Sequence, residues 1–141
     1  MTLYLDTSLL VAALTNEAET GRIQAWLAAQ AAGEMTISDW VTTEFSAALS
    51  IKLRSGQIDA GHRASALAMF TRLSADSLAM VPVSGLQFRT AARFADHYAL
   101  GLRAGDALHL AICADHGATL CTLDRRLGDA GSELGVKTTL L

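Results

Sequence analysis

Four carboxylates stand where an exposed polar face does not account for them: Asp6, Glu44, Asp106 and Asp124. Asp6 directly follows the β-like run Leu3-Tyr4-Leu5 and opens the turn Asp6-Thr7-Ser8, while Asp124 directly follows a run ending in Thr122-Leu123. In an open α/β sheet, ligands bind in the crevice beyond the carboxyl ends of the strands, so both acids project where chemistry is expected. Glu44 sits in a helical stretch whose apolar stripe is Val41, Phe45, Ala48 and Leu49, and its spacing puts it on the stripe's edge. Asp106 opens the apolar stretch Ala107-Leu108-His109-Leu110-Ala111-Ile112, so its acid projects from a helix N-terminus. A carboxylate held against a core-facing stripe is costly unless a charge compensates it.

Taken singly, Asp6, Asp106 and Asp124 could be N-cap or first-turn aspartates, each stabilising a helix by about 0.5–2 kcal/mol. Glu44 alone could be a partly exposed helix residue. Taken together, four unpaired acids from four elements would repel one another. Hard cations such as Mg2+ and Mn2+ prefer oxygen ligands, keep several waters, and are held by one or two carboxylates while others order the water shell. A shared divalent cation is the simpler account of the set.

The elements that must position these acids alternate short β-like runs with helical stretches. Residues 3–5 are expected as a strand, 8–14 as a helix, and 17–31 as a second helix with Ile23, Trp26 and Leu27 on one face. Gly33 ends that helix, and 34–38 form the next strand. Ser38 and Asp39 supply cap chemistry for a helix from 40 to about 54, closed by Ser55-Gly56. Residues 59–74 read as helix and 78–83 as a strand whose Pro82 suits an edge, because proline cannot donate to the ladder. Ser84 caps a helix reaching about Tyr98, 104–116 is another, 118–123 is a strand, a last helix starts near Asp124, and 136–139 form a final strand. Strands alternating with crossover helices predict an α/β fold with a parallel sheet covered on both faces. No repeat, linker or low-complexity segment interrupts the pattern, so residues 1–141 read as one domain.

Composition sets bounds on function. A chain of 141 residues, 51% hydrophobic, can bury close to two-thirds of its unfolded surface in a single core. No stretch approaches the ~18 uninterrupted apolar residues of a membrane span. The N-terminal residues carry no signal-peptide pattern, so a cytoplasmic location is expected. Cys113 and Cys121 are too few and too isolated for a disulfide framework or a zinc knuckle, and read as reduced core residues. A net charge of -3 runs against a broadly basic nucleic-acid footprint. Carboxylates gathered around a cation contribute negative charge that the metal offsets.

In this order, Leu5-Asp6-Thr7-Ser8, Thr43-Glu44-Phe45, Gly105-Asp106-Ala107-Leu108-His109-Leu110-Ala111 and Thr122-Leu123-Asp124-Arg125-Arg126-Leu127 resemble a PIN domain of the VapC toxin type, over nearly the whole chain. The resemblance implies a three-layer α/β/α fold with parallel strands in the order 3-2-1-4-5, a homodimer, and Mg2+- or Mn2+-dependent cleavage of RNA. It also implies a small cognate antitoxin that binds DNA. The family's conserved acids would be Asp6, Glu44, Asp106 and Asp124, with Ser8 and Thr122 at its small polar and hydroxyl positions. Asp6 and Asp106 would be the principal ligands, while Glu44 and Asp124 would order metal waters or complete a second site. Arg103, Arg125 and Arg126 could contact RNA phosphates or be solvated charges near helix ends. The spacing of His109 could place it beside Asp106 on one metal, but a buried or partner-contacting histidine suits its apolar helix better. His62, His97 and His116 show no ligand pattern. Trp26, Trp40 and Phe45 fit core stripes rather than base-stacking platforms.

A phosphoaspartyl enzyme of the haloacid dehalogenase type needs a second aspartate two residues after Asp6, where this chain has Ser8. A response-regulator receiver expects paired acids near the first strand and a late lysine; Lys137 follows no matching motif. The serious competitor is a PIN-like fold acting as a non-catalytic binding module in a dimeric regulatory complex.

Overall fold

In the computed structural model, which describes residues 1–141, five strands form one wholly parallel sheet. They are β1 (Leu3–Leu5), β2 (Met35–Ser38), β3 (Ala79–Val81), β4 (Thr119–Thr122) and β5 (Thr138–Leu140), in the spatial order β3-β2-β1-β4-β5. Every residue of β1, β2 and β4 is buried, whereas the residues of β3 and β5 are exposed or half-buried. That contrast follows from position, because a parallel strand is shielded on both faces only in the middle of the sheet. The order is the one the resemblance implies, and Pro82 lies just beyond β3, an edge strand as expected.

Helices α1 (Thr7–Leu14), α2 (Thr20–Ala28), α3 (Asp39–Arg54), α4 (Ala60–Ser77), α5 (Gly85–Ala95), α6 (Ala104–His116) and α7 (Arg125–Glu133) flank the sheet in a three-layer arrangement. Helix α1 packs against α2, α3 and α4, α5 packs on α6, and α7 lies on β4 and β5. Between them runs a core of 27 buried residues, within which Phe45 stacks on Phe70 with ring centroids 4.5 Å apart. Both cysteines are free and buried, and burial pushes their thiols up, that of Cys121 to about 12. No helix is long and apolar enough to cross a membrane.

Several boundaries differ from the sequence expectation for visible reasons. Helix α2 begins at Thr20 rather than 17, because the Thr20 hydroxyl donates to the carbonyls of Ala12 (2.7 Å) and Thr15 (3.0 Å) and fixes a turn there. It ends at Ala28, three residues short of the expected 31. Helix α4 continues to Ser77 and leads almost directly into β3. Helix α5 starts with the Ser84–Gln87 capping box but stops at Ala95, and a 3-10 turn over Tyr98–Leu100 follows. Strand β5 is displaced toward the C-terminus because the Val136 amide is bonded to the Gly131 carbonyl at 2.9 Å.

Gly131 is where α7 meets the sheet edge most closely. A Cβ there would lie 2.5 Å from Thr138 Cγ2 and 2.9 Å from Leu110 Cδ2. Helix propensity alone favours alanine over glycine by ~1 kcal/mol, so it works against the clash. Overpacking costs about 1–3 kcal/mol. Gly131→Ala is therefore expected to destabilise the fold on balance, seen as a lower urea midpoint at unchanged slope; a raised midpoint would show that β5 moves aside freely.

Candidate active site

Asp6 ends the β1 ladder, its amide still bonded to the Cys121 carbonyl at 3.1 Å, and its extended backbone makes it the N-cap of α1. One oxygen, Oδ1, accepts from the Ser8 hydroxyl at 2.5 Å and the Leu9 amide at 3.3 Å. The other accepts from the Thr122 hydroxyl at 2.5 Å. Ser8 Oγ in turn accepts from the Leu123 amide (3.1 Å), and Thr122 Oγ1 from the Asp124 amide (3.0 Å). The β1–α1 and β4–α7 turns are thus stitched together around one carboxylate, only 3% exposed. Burial raises its pKa; the Ser8 and Thr122 hydroxyls pull the other way without reversing the direction.

Asp124 is the N-cap of α7, and its Oδ1 accepts from the amides of Arg126 (2.9 Å) and Leu127 (3.3 Å). Capping therefore explains one oxygen each of Asp6 and Asp124. It does not explain Asp106, which lies in the first turn of α6 behind the N-cap residue Arg103 and gains no hydrogen bond that would favour its charge. Burial raises the Asp106 pKa first, then the charge of Asp124, with Glu44 and Asp6 adding to the rise; only His109 opposes it. Asp106 thus lies in the combined field of the other three acids.

Glu44 reaches from α3 into a different set of contacts. Its Oε1 accepts from the Thr7 hydroxyl at 2.6 Å and is bonded to His109 Nε2. The other ring nitrogen, Nδ1, lies 2.8 Å from the Tyr4 hydroxyl, which is 2.7 Å from Ser38 Oγ. Burial works to raise the Glu44 pKa, but the His109 hydrogen bond and charge and the Thr7 hydroxyl outweigh it, and the net direction is downward. Ser38 is the N-cap of α3 by backbone geometry, yet its hydroxyl turns to Tyr4 and caps nothing.

Thr7, Tyr4, Ser38 and Gly105 join the site only through tertiary contacts. Of these, Gly105 alone carried a signal in the sequence, a glycine inside the first turn of a helix. A Cβ there would sit 2.8 Å from Glu44 Oε2 and 3.3 Å from the Trp40 ring. His109 is a buried histidine, as expected for its apolar helix, and contacts at both ring nitrogens remove it from the set of free metal donors. Arg103, Arg125 and Arg126 are exposed and form no ion pair; Arg125 and Arg126 line a shallow pocket with Asp129 and Glu133 rather than a purely basic patch. Trp26 and Trp40 are partly buried against the core, and Phe45 is fully inside it.

No three acidic, histidine or cysteine side chains converge closely enough to hold a metal ion among themselves. The donors that remain free are carboxylate oxygens alone, and Asp106, in a field of like charge, has the strongest need of a cation. Such a set suits a hard divalent ion that keeps most of its water and takes one or two protein oxygens. It does not suit zinc or copper, which favour nitrogen and sulfur.

A PIN domain profile matches residues 3–132. A comparison with curated proteins finds no match. Among solved structures, VapC20 from Mycobacterium tuberculosis, described as a sarcin-ricin loop cleaving toxin, aligns over 92% of this chain and 95% of its own with a TM-score of 0.74 and 22% identity. VapBC2 from Rickettsia felis, bound to a DNA fragment from its promoter, aligns over 99% and 98% with a TM-score of 0.66 and 16% identity. A toxin-antitoxin complex from Klebsiella pneumoniae aligns over 91% and 90% with a TM-score of 0.61 and 17% identity. At these identities the likeness establishes a common fold.

The raised carboxyls fix a pH dependence. An acid whose folded pKa lies above its unfolded one loses stability as pH climbs from the unfolded value, near 4, through the folded one. Asp6 and Asp106 act in that direction, while Glu44, shifted down, contributes stability above pH ~4.3 that is lost on acidification. In EDTA, Asp106→Asn is expected to melt higher than wild type at pH 7–8, by about 2–4 °C for each kcal/mol of repulsion relieved. The gain should shrink toward pH 4. An equal or lower melting point at pH 8 would show that the four acids do not share one field.

Proposed function

We propose that this chain, which belongs to the PIN domain family, is a divalent-metal-dependent endoribonuclease, a single PIN domain over residues 1–141, and the toxin half of a toxin-antitoxin pair. The observation that carries the reading is Asp106: a half-buried carboxylate in the field of Asp124, Glu44 and Asp6, with no hydrogen bond that favours its charge. Four like charges at the carboxyl edge of a parallel sheet destabilise the metal-free protein, and a bound cation turns that cost into affinity.

Bound Mg2+ or Mn2+ would supply a water deprotonated near neutral pH and would offset charge on the phosphoryl oxygens. Asp6 would hold it through a carboxylate fixed in orientation by Ser8 and Thr122. Asp106 would provide the second oxygen ligand. Glu44 and Asp124 would orient water through the oxygens left over from their own hydrogen bonds. Arg103, Arg125 and Arg126 are candidates to engage phosphates along the RNA strand. Specificity among RNAs would come from surface shape rather than from the acids.

VapC20's description as a sarcin-ricin loop cleaving toxin supports RNA as substrate, and the VapBC2 and Klebsiella complexes support an antitoxin as partner. The homodimer implied by the resemblance belongs to the same reading. The absence of a three-donor cluster favours a second one, a PIN-like module that binds without cutting. All four acids are nonetheless present, and the support around Asp6 is complete.

Purified protein with labelled RNA separates the two. Cleavage is expected with Mn2+ or Mg2+, none with EDTA, and a loss of roughly 100-fold in Asp6→Asn and in Asp106→Asn. Mn2+ at 100 times its Kd should stabilise the wild type by about 2.7 kcal/mol. Cleavage that survives EDTA or both substitutions would refute the nuclease reading.

A further inference from the structure

We propose that a buried file of hydrogen bonds, Ser38 to Tyr4 to His109, positions Glu44 by occupying its Oε1, so that Oε2 is the one oxygen left to act on a cation or its water. The functional consequence rests on the nuclease reading; the file itself rests on geometry.

The three residues come from three elements, β2, β1 and α6, and are almost completely enclosed at 0%, 1% and 2% exposure. Polar groups so placed must find partners, and here they find one another. The donor inventory then fixes a direction. Ionised Glu44 only accepts, so the facing Nε2 carries a proton. The proposed file takes the ring with a single proton, so that Nδ1 accepts from the one donor beside it, the Tyr4 hydroxyl, whereas a ring carrying both protons would reverse this bond. The Tyr4 oxygen is left to accept from Ser38. Donation therefore runs Ser38, Tyr4, His109, Glu44 without reversal, and Thr7 donates to the same Oε1 from the other side.

A phenylalanine at position 4 would fill the same core space, so the only work left for the phenolic oxygen is to hold this file. Two donors on Oε1 leave Oε2 as the free oxygen, and Gly105 gives it room, since a Cβ there would approach it to 2.8 Å. His109 is thus a positioning residue. It makes Glu44 a one-oxygen group with a set direction, and an unheld glutamate would rotate between rotamers.

The test uses the full chain and Mn2+ as the probe. Nitrogen-15 NMR of wild type should show His109 protonated at Nε2 and bare at Nδ1, and Tyr4→Phe should keep the Nε2 proton while shifting the Nδ1 resonance as its hydrogen bond is lost. Calorimetry should find Mn2+ affinity weakened about 10-fold or more in His109→Leu. Affinity should return to within about 3-fold of wild type in His109→Gln, whose amide restores a donor to Glu44. Gly105→Ala should weaken binding without changing the His109 tautomer. A proton on Nδ1 in wild type, unchanged affinity in His109→Leu, or equal losses in the Leu and Gln variants would overturn the proposal. Should His109→Leu not fold, the Tyr4→Phe shift of the Nδ1 resonance decides, and an unmoved Nδ1 signal would overturn the file. Wild-type protein that binds no Mn2+ and cuts no RNA would refute the nuclease reading instead, while the NMR result would still judge the file.

Discussion

The carboxylate of Asp6 is buried at the carboxyl end of β1 and held on both oxygens by hydroxyls from two different turns. An ionised group in that position is tolerated only if nearly all its lone pairs are used, because each unmet one would carry a desolvation cost of about 1–3 kcal/mol or more. Meeting that demand brings Ser8 and Thr122 together, and with them the starts of α1 and α7. The β1–β4 pairing, Leu5 opposite Cys121, sets the register that makes this possible. A slip of one residue would turn Thr122 to the other face and leave Asp6 unsupported.

Around this fixed point the other acids are treated unequally. Glu44 is compensated by a histidine and a hydroxyl, Asp124 by two backbone amides, and Asp106 by neither. The result is a graded site, rigid and satisfied at its base and charged at its rim. Compensation of Asp106 as well would have stabilised the fold, and a charge left unmet is the kind of cost that functional sites commonly carry.

Most of this arrangement was legible in the sequence because it depends on position within elements. Asp6 and Asp124 announce themselves by following apolar runs, and the strand–helix alternation predicts the parallel sheet. Both residues do cap their helices, each with one oxygen; Asp6 spends the other on Thr122, and Asp124 leaves its second oxygen without a protein donor. What stayed hidden were contacts that cross between distant elements. Tyr4 reads as one more apolar strand residue, Ser38 as a helix cap and His109 as core filler; only tertiary packing brings them into one line. Element ends were hidden for a related reason. The start of α2 is decided by where the Thr20 hydroxyl finds carbonyls, which periodicity does not register.

The sheet's two outer strands are three residues long, and the β3 edge runs immediately into Pro82, which has no amide to offer a neighbour. So short a margin is a poor template for another chain's backbone, and proline blocks its lengthening. Growth of one copy's sheet onto another's, the usual first step toward fibrous aggregates, is thereby disfavoured at both borders. Association between copies is left to the helical surfaces, so the molecule can be crowded without polymerising through its strands.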